Sequence, residues 1–98
     1  MIYTIDELKE KVKTVADQYD IREVRLFGSY FDGNADENSD VDLVVSYGDG
    51  CRGLACIRFM NSLEEAFEKK VDVINIEFPP RFMEKMDIQD ERRKLYGK

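Results

Sequence analysis

The chain contains no histidine. That absence removes Ser-His and Cys-His nucleophile pairs, the HExxH metalloprotease helix and every imidazole metal site. Cysteine is scarce, with only Cys51 and Cys56. A Cys-x4-Cys pair with no imidazole to join it does not complete a four-ligand zinc site; it reads as two free thiols of a reducing compartment. No apolar run approaches the ~20 residues that a membrane helix needs. The opening stretch MIYTIDELKE is acidic and periodic, unlike a signal peptide. The expectation is a cytoplasmic protein with no membrane partner. Basic charge is also short: 15 Lys and Arg face 21 Asp and Glu, for a net charge of −6. General nucleic-acid binding rests on Lys and Arg neutralising phosphates, so it is not expected here. Any catalysis has to come from carboxylates, hydroxyls, Lys or Arg, thiols, or a bound metal.

What the chain does have is helical and strand patterning from end to end. Its 98 residues suggest one domain over 1–98, and 43% hydrophobic with 37% charged residues suits a folded globular chain. TIDELKEKVKTVADQY predicts a helix, with Thr4 and Glu7 as a capping box and Ile5, Leu8, Val12, Val15, Ala16 and Tyr19 along one face. IREVRLF predicts a strand over 21–27, ended by Gly28. SYFDGN suggests one short helical turn with Ser29 near its start, and DVDLVVSY a second strand over 40–47. GDGCRG is turn chemistry. LACIRFMNSLEEAFEKK predicts a second long helix with Leu54, Ile57, Met60, Leu63, Ala66 and Phe67 as its stripe, and VDVINI a third strand over 71–76. Beyond Pro79 and Pro80, RFMEKMDIQDERRKLYG reads as a final helical segment, with Phe82, Met83, Met86, Leu95 and Tyr96 available to pack or to contact a partner. The order α-β-(α)-β-α-β-α predicts an α/β fold, a small mixed three-stranded sheet flanked by helices.

Two aspartates, Asp40 and Asp42, open what otherwise reads as a core strand. Side chains two apart on a strand share a face, so these two would project together while Val41 and Leu43 face the other way. Taken alone, such a pair reads first as a strand-end cap or a solvated sheet face. Beside a central apolar run the pair is harder to accommodate, because two anions in a partly desolvated site repel unless one protonates or a cation neutralises both. Oxygen-only ligands favour Mg²⁺ or Mn²⁺. Asp72 adds a third carboxylate, sharing a face with Ile74 and Ile76; alone it reads equally as an edge-strand charge. Three acids on adjacent strands would hold two metals, as in-line phosphoryl or nucleotidyl transfer requires. The segment 32–43 mimics an EF-hand loop at its first ligands, but Glu37 stands where the turn glycine belongs and Leu43 where the bidentate Glu belongs.

Strand, Gly28-Ser29, ten residues, Asp40-x-Asp42, then a later strand with Asp72: this arrangement resembles the nucleotidyltransferase superfamily related to DNA polymerase β, and the GS-x10-DxD spacing is its specific part. Length and element order look like the minimal nucleotidyltransferases, and the resemblance covers nearly the whole chain. It implies the nucleotidyltransferase fold, with Asp40, Asp42 and Asp72 as the catalytic and metal-binding acids. It places the triphosphate of ATP on Gly28 and Ser29, and it implies two Mg²⁺ ions, or Mn²⁺ in their stead. Many relatives have an arginine directly after the serine; here it is Tyr30, and Arg25 and Arg52 are the basic side chains that could stand in. Many minimal members look like antitoxins encoded beside a HEPN-domain ribonuclease toxin, to a tyrosine of which they transfer AMP. The resemblance therefore implies that reaction and a HEPN-type partner. Two alternatives stay open: an antitoxin that occludes its partner without catalysis, and a small-molecule or RNA nucleotidyltransferase whose acceptor site comes from a second chain.

Overall fold

A computed structural model describes residues 2–97 of the chain. Helix α1 (Ile5–Ala16) starts at Thr4, whose side chain accepts from the Glu7 N–H while the Glu7 carboxylate accepts from the Thr4 N–H, the reciprocal box that the sequence predicts. Strand β1 (Ile21–Phe27), the short helix α2 (Ser29–Asp32), strand β2 (Val41–Tyr47), helix α3 (Leu54–Phe67) and strand β3 (Val71–Asn75) follow in the predicted order. Asp40 lies just before β2 rather than within it.

The predicted C-terminal helix does not form. Residues Arg81–Lys85 and Glu91–Arg93 make two 3-10 turns, and Lys94–Gly97 form a fourth strand, β4. The sheet therefore has four strands in the order β3-β2-β1-β4. β1 runs antiparallel to both β2 and β4, and β2 runs parallel to β3. The sheet is mixed, as expected, with one more strand.

The sheet is unequally covered on its two faces. On one, Val24 and Leu26 of β1, Val41, Leu43 and Val45 of β2, and Val71 of β3 pack with α1 and α3 into the main core. Leu8, Val12, Val15 and Ala16 supply the face of α1. On α3 the buried row is Phe59, Leu63 and Phe67, spaced by four. This corrects the predicted stripe: Leu54 and Ile57 are 70% and 51% exposed. The buried Tyr3 hydroxyl donates to the Phe67 carbonyl at 2.6 Å, joining the start of α1 to the end of α3.

On the other face Phe27 and Val44 are covered by Met83, with Ile74, Ile76, Met86 and Ile88 around them. The C-terminal segment thus lies across the sheet as a strap. Buried Arg93 fixes it: its guanidinium donates to the Asp87 carbonyl at 2.8 Å and to the Leu26 carbonyl at 3.3 Å, and sits 3.9 Å from the centroid of the Phe31 ring on α2. Met83 and Leu95 are buried, and Phe82 is exposed. Cys51 and Cys56 are free thiols in the turn before α3 and in its first turn. Among the described residues no helix is long and apolar enough to cross a membrane.

Candidate active site

Phe27 at the end of β1 pairs with Asp42 in β2, and Asp42 pairs with Asp72 in β3. Paired residues share a face, so both acids stand on the side of the sheet away from α1 and α3. This is the face of Val44 and Ile74, as the alternation in the sequence predicts.

The two carboxyl groups stand on paired positions of adjacent strands, and the pKa of Asp42 is pushed up to about 6. Desolvation by burial is the largest cause; hydrogen bonding and charge from Asp72 come next, and the charge of Asp40 adds to them. Lys70 opposes the rise and lies 3.8 Å from Asp72, in an exposed pair. A half-buried carboxylate with two acidic neighbours is an arrangement that a cation would relieve.

Gly28 closes one side of this pair. Its backbone has φ 74 and ψ −156, a conformation essentially restricted to glycine. A β-carbon there would lie 2.1 Å from Asp42 Oδ2. The turn can thus lie directly on the carboxylate only because the residue has no side chain. The Gly28 carbonyl accepts the N–H groups of Phe31 and Asp32 at 3.1 and 3.0 Å, which starts α2. Gly28 is the N-cap, and Ser29 is the first helical residue rather than the cap.

The five predicted site residues fall in three chain segments: Gly28, Asp42 and Asp72 are brought together, Asp40 acts on Asp42 through its charge, and Ser29 opens α2 beside Gly28. Among the described residues no three acidic or thiol side chains stand close enough to form a metal cluster by themselves. The donor chemistry nevertheless fits a hard divalent cation: two carboxylates on paired strand positions, oxygen only, with a third acid felt through its charge. The rest of such a coordination shell would come from ligand oxygens.

Neither arginine considered for the phosphate serves this site: Arg25 is engaged elsewhere, and Arg52 lies beyond the opposite end of β2 from Asp42. Arg25 is buried, with its guanidinium paired to Glu23 and bonded to the Asp90 carbonyl at 3.1 Å. Arg52 is exposed and pairs with Asp49 at 3.6 Å in the turn before α3. Tyr30 does not face the acids; it is buried in the main core, and its hydroxyl accepts from Lys69 Nζ at 2.9 Å. Sequence reasoning passed over Lys69 and Lys70. Their one signal is placement, a Lys-Lys pair immediately before the Asp72 strand.

Residues 10–98 match the family described as Polymerase beta, nucleotidyltransferase. A Methanocaldococcus jannaschii protein provisionally named a protein adenylyltransferase is 34% identical over 70 residues, covering 71% of this chain and 75% of the relative. A protein adenylyltransferase of Thermococcus cleftensis is 34% identical over 62 residues, 63% of either chain. The fold is similar to that of a chain in the structure of a tri-AMPylated HEPN toxin of Shewanella oneidensis in complex with an MNT antitoxin, with a TM-score of 0.66 at 17% identity, over 97% of this chain and 74% of that one.

Proposed function

The chain belongs to the polymerase β nucleotidyltransferase family, and on that premise we propose that it transfers AMP from ATP to a tyrosine hydroxyl of a HEPN-type toxin, as the antitoxin of the pair. The observation that carries the reading is the carboxyl pair Asp42–Asp72 under the Gly28 turn. The relatives named as adenylyltransferases and the fold shared with a toxin–antitoxin complex supply the acceptor.

In the reaction the tyrosine oxygen bonds to the α-phosphorus of ATP, the bond from that phosphorus to the bridging oxygen of the β-phosphate breaks, and pyrophosphate leaves. Mg²⁺ held by Asp42 and Asp72, with Asp40 at its margin, would neutralise charge on the attacking and leaving oxygens. The protein's own residues do the rest. Asp72, with about half its side-chain surface exposed, would take the proton of the attacking hydroxyl. Asp42, desolvated and hemmed in by Gly28, is the fixed member of the pair. The Gly28-Ser29 turn receives the triphosphate, since only a residue without a side chain lets phosphate and carboxylate approach the same backbone.

Incubating a HEPN-type partner with α-labelled ATP and Mg²⁺ tests the reading. Labelled partner is expected with the natural chain and none with Asp42→Asn. Equal labelling by that variant would remove Asp42 from the site.

A further inference from the structure

Lys69 has a role that the carboxylates do not account for. Its ammonium has three N–H donors, and three acceptors surround it. These are the Tyr30 hydroxyl at 2.9 Å, the Ser39 carbonyl at 2.9 Å and, in a longer contact, the Glu37 carbonyl at 3.5 Å. None is a carboxylate. The contacts are not spread at random along the chain: Tyr30 directly follows Gly28-Ser29, Ser39 directly precedes Asp40, and Lys69 itself stands three residues before Asp72. One side chain therefore ties together the three segments that carry all five candidate site residues.

Ala35 packs against the main core just before the turn that precedes Asp40; the turn itself is bonded mostly from within. The Asp36 N–H donates to Ser39 Oγ at 2.8 Å, the Asn38 N–H to Asp36 Oδ1 at 2.8 Å and the Ser39 N–H to the Asp36 carbonyl at 3.1 Å. All three bonds are internal to 36–39. The backbone connection comes after it, where the Val41 N–H donates to the Lys70 carbonyl at 3.1 Å. Among the described residues, Lys69 makes the side-chain hydrogen bonds between the turn and the rest of the molecule. Its stem is half-buried, and Tyr30 is 6% exposed, so the far end of the clamp is anchored in the core.

We propose that Lys69 is a positioning residue: its ammonium, shared among Tyr30, Ser39 and Glu37, fixes Asp40 and the Gly28-Ser29 turn relative to the strand of Asp72. The inference rests on the nucleotidyl-transfer reading for what is being positioned. It also gives Tyr30 a purpose, as the buried end of the clamp and not a phosphate ligand.

Two variants test it. Lys69→Met removes the ammonium and keeps most of the stem; Tyr30→Phe keeps the ring and removes one acceptor, so it preserves packing if the first variant folds poorly. Amide hydrogen exchange and Mn²⁺ titration in the presence of a non-hydrolysable ATP analogue are read on the full chain. Exchange over 36–40 should quicken in both variants while α1 and β1 keep natural rates. Mn²⁺ affinity should fall about tenfold, the scale for residues that hold ligands in place. Natural exchange over 36–40 in both variants overturns the clamp. Faster exchange with natural Mn²⁺ affinity overturns the positioning role and leaves only a structural staple. If the natural chain binds Mn²⁺ with the analogue and both variants match it, this inference alone fails. If the natural chain itself binds no Mn²⁺, the nucleotidyl-transfer reading fails and takes the inference with it.

Discussion

Gly28 lies on Asp42 so closely that a β-carbon on the glycine would stand 2.1 Å from the carboxylate oxygen. Two residues 14 apart in the chain, one ending a strand and one beginning the next, are thereby locked to a single arrangement. Gly28→Ala should displace Asp42 and force a side chain into a backbone conformation that costs about 1–3 kcal/mol. Transfer should fall about 100-fold, the scale for an ångström of misplacement at a reacting centre. Urea unfolding and a labelling assay on the same preparation measure both effects. An alanine variant with natural activity would show that the contact has slack.

The raised Asp42 carboxyl predicts a pH dependence of stability in the metal-free protein. In the fold this group titrates near 6, against 3.8 ordinarily. The folded state therefore holds the proton more tightly than the unfolded chain, and between those two values it binds more protons. The contribution is fully present below about pH 4, is lost as pH rises, and is gone above about pH 6. Urea midpoints across this window should show that fall, and Asp42→Asn should flatten it. A midpoint that instead rises with pH in the natural chain but not in the variant would reverse the assigned shift.

Divalent metal should act on the same pair. Mg²⁺ or Mn²⁺ added near neutral pH should raise the melting temperature of the natural chain, and less so below about pH 6, where the proton competes for the same oxygens. Asp42→Asn and Asp72→Asn should each abolish most of the rise. Equal rises in all three proteins would place the metal elsewhere.

The corrected face of α3 makes a plain stability prediction. Phe59 is fully buried and Leu54 is 70% exposed. Phe59→Ala should cost about 3–5 kcal/mol, whereas Leu54→Ser should stay within about 0.5 kcal/mol. Chemical denaturation distinguishes this from the stripe expected from periodicity, for which Leu54 is the core residue.

These contrasts show what the sequence makes legible. The strand over 21–27, the second strand apart from its first residue Asp40, the Gly28 break and the Asp42–Asp72 face follow from alternation and turn chemistry, both local signals. The capping box at Thr4 and Glu7 is likewise local. The C-terminal segment is not. Phe82, Met83 and Met86 have helical spacing, but Met83 is buried on the far side of the sheet with Phe27 and Val44, which stand 56 and 39 residues upstream. β4 has four residues, too few for a period to show, and is defined by its pairing with β1. On α3 two apolar rows overlap in the sequence, and tertiary packing selects Phe59, Leu63 and Phe67. Tyr30 fails as a motif residue for a related reason, since its partner Lys69 is 39 residues away.

Asp42 and Asp72 serve the chemistry of the site at the expense of the fold. The most direct test is one pair of readings on Asp42→Asn: the intact mass of a HEPN-type partner after incubation with ATP and Mg²⁺, and the unfolding midpoint of the variant near neutral pH without metal. The account predicts no added AMP on the partner and a midpoint at or above that of the natural chain. A variant that still adds AMP, or that loses activity only because it has lost its fold, would contradict it.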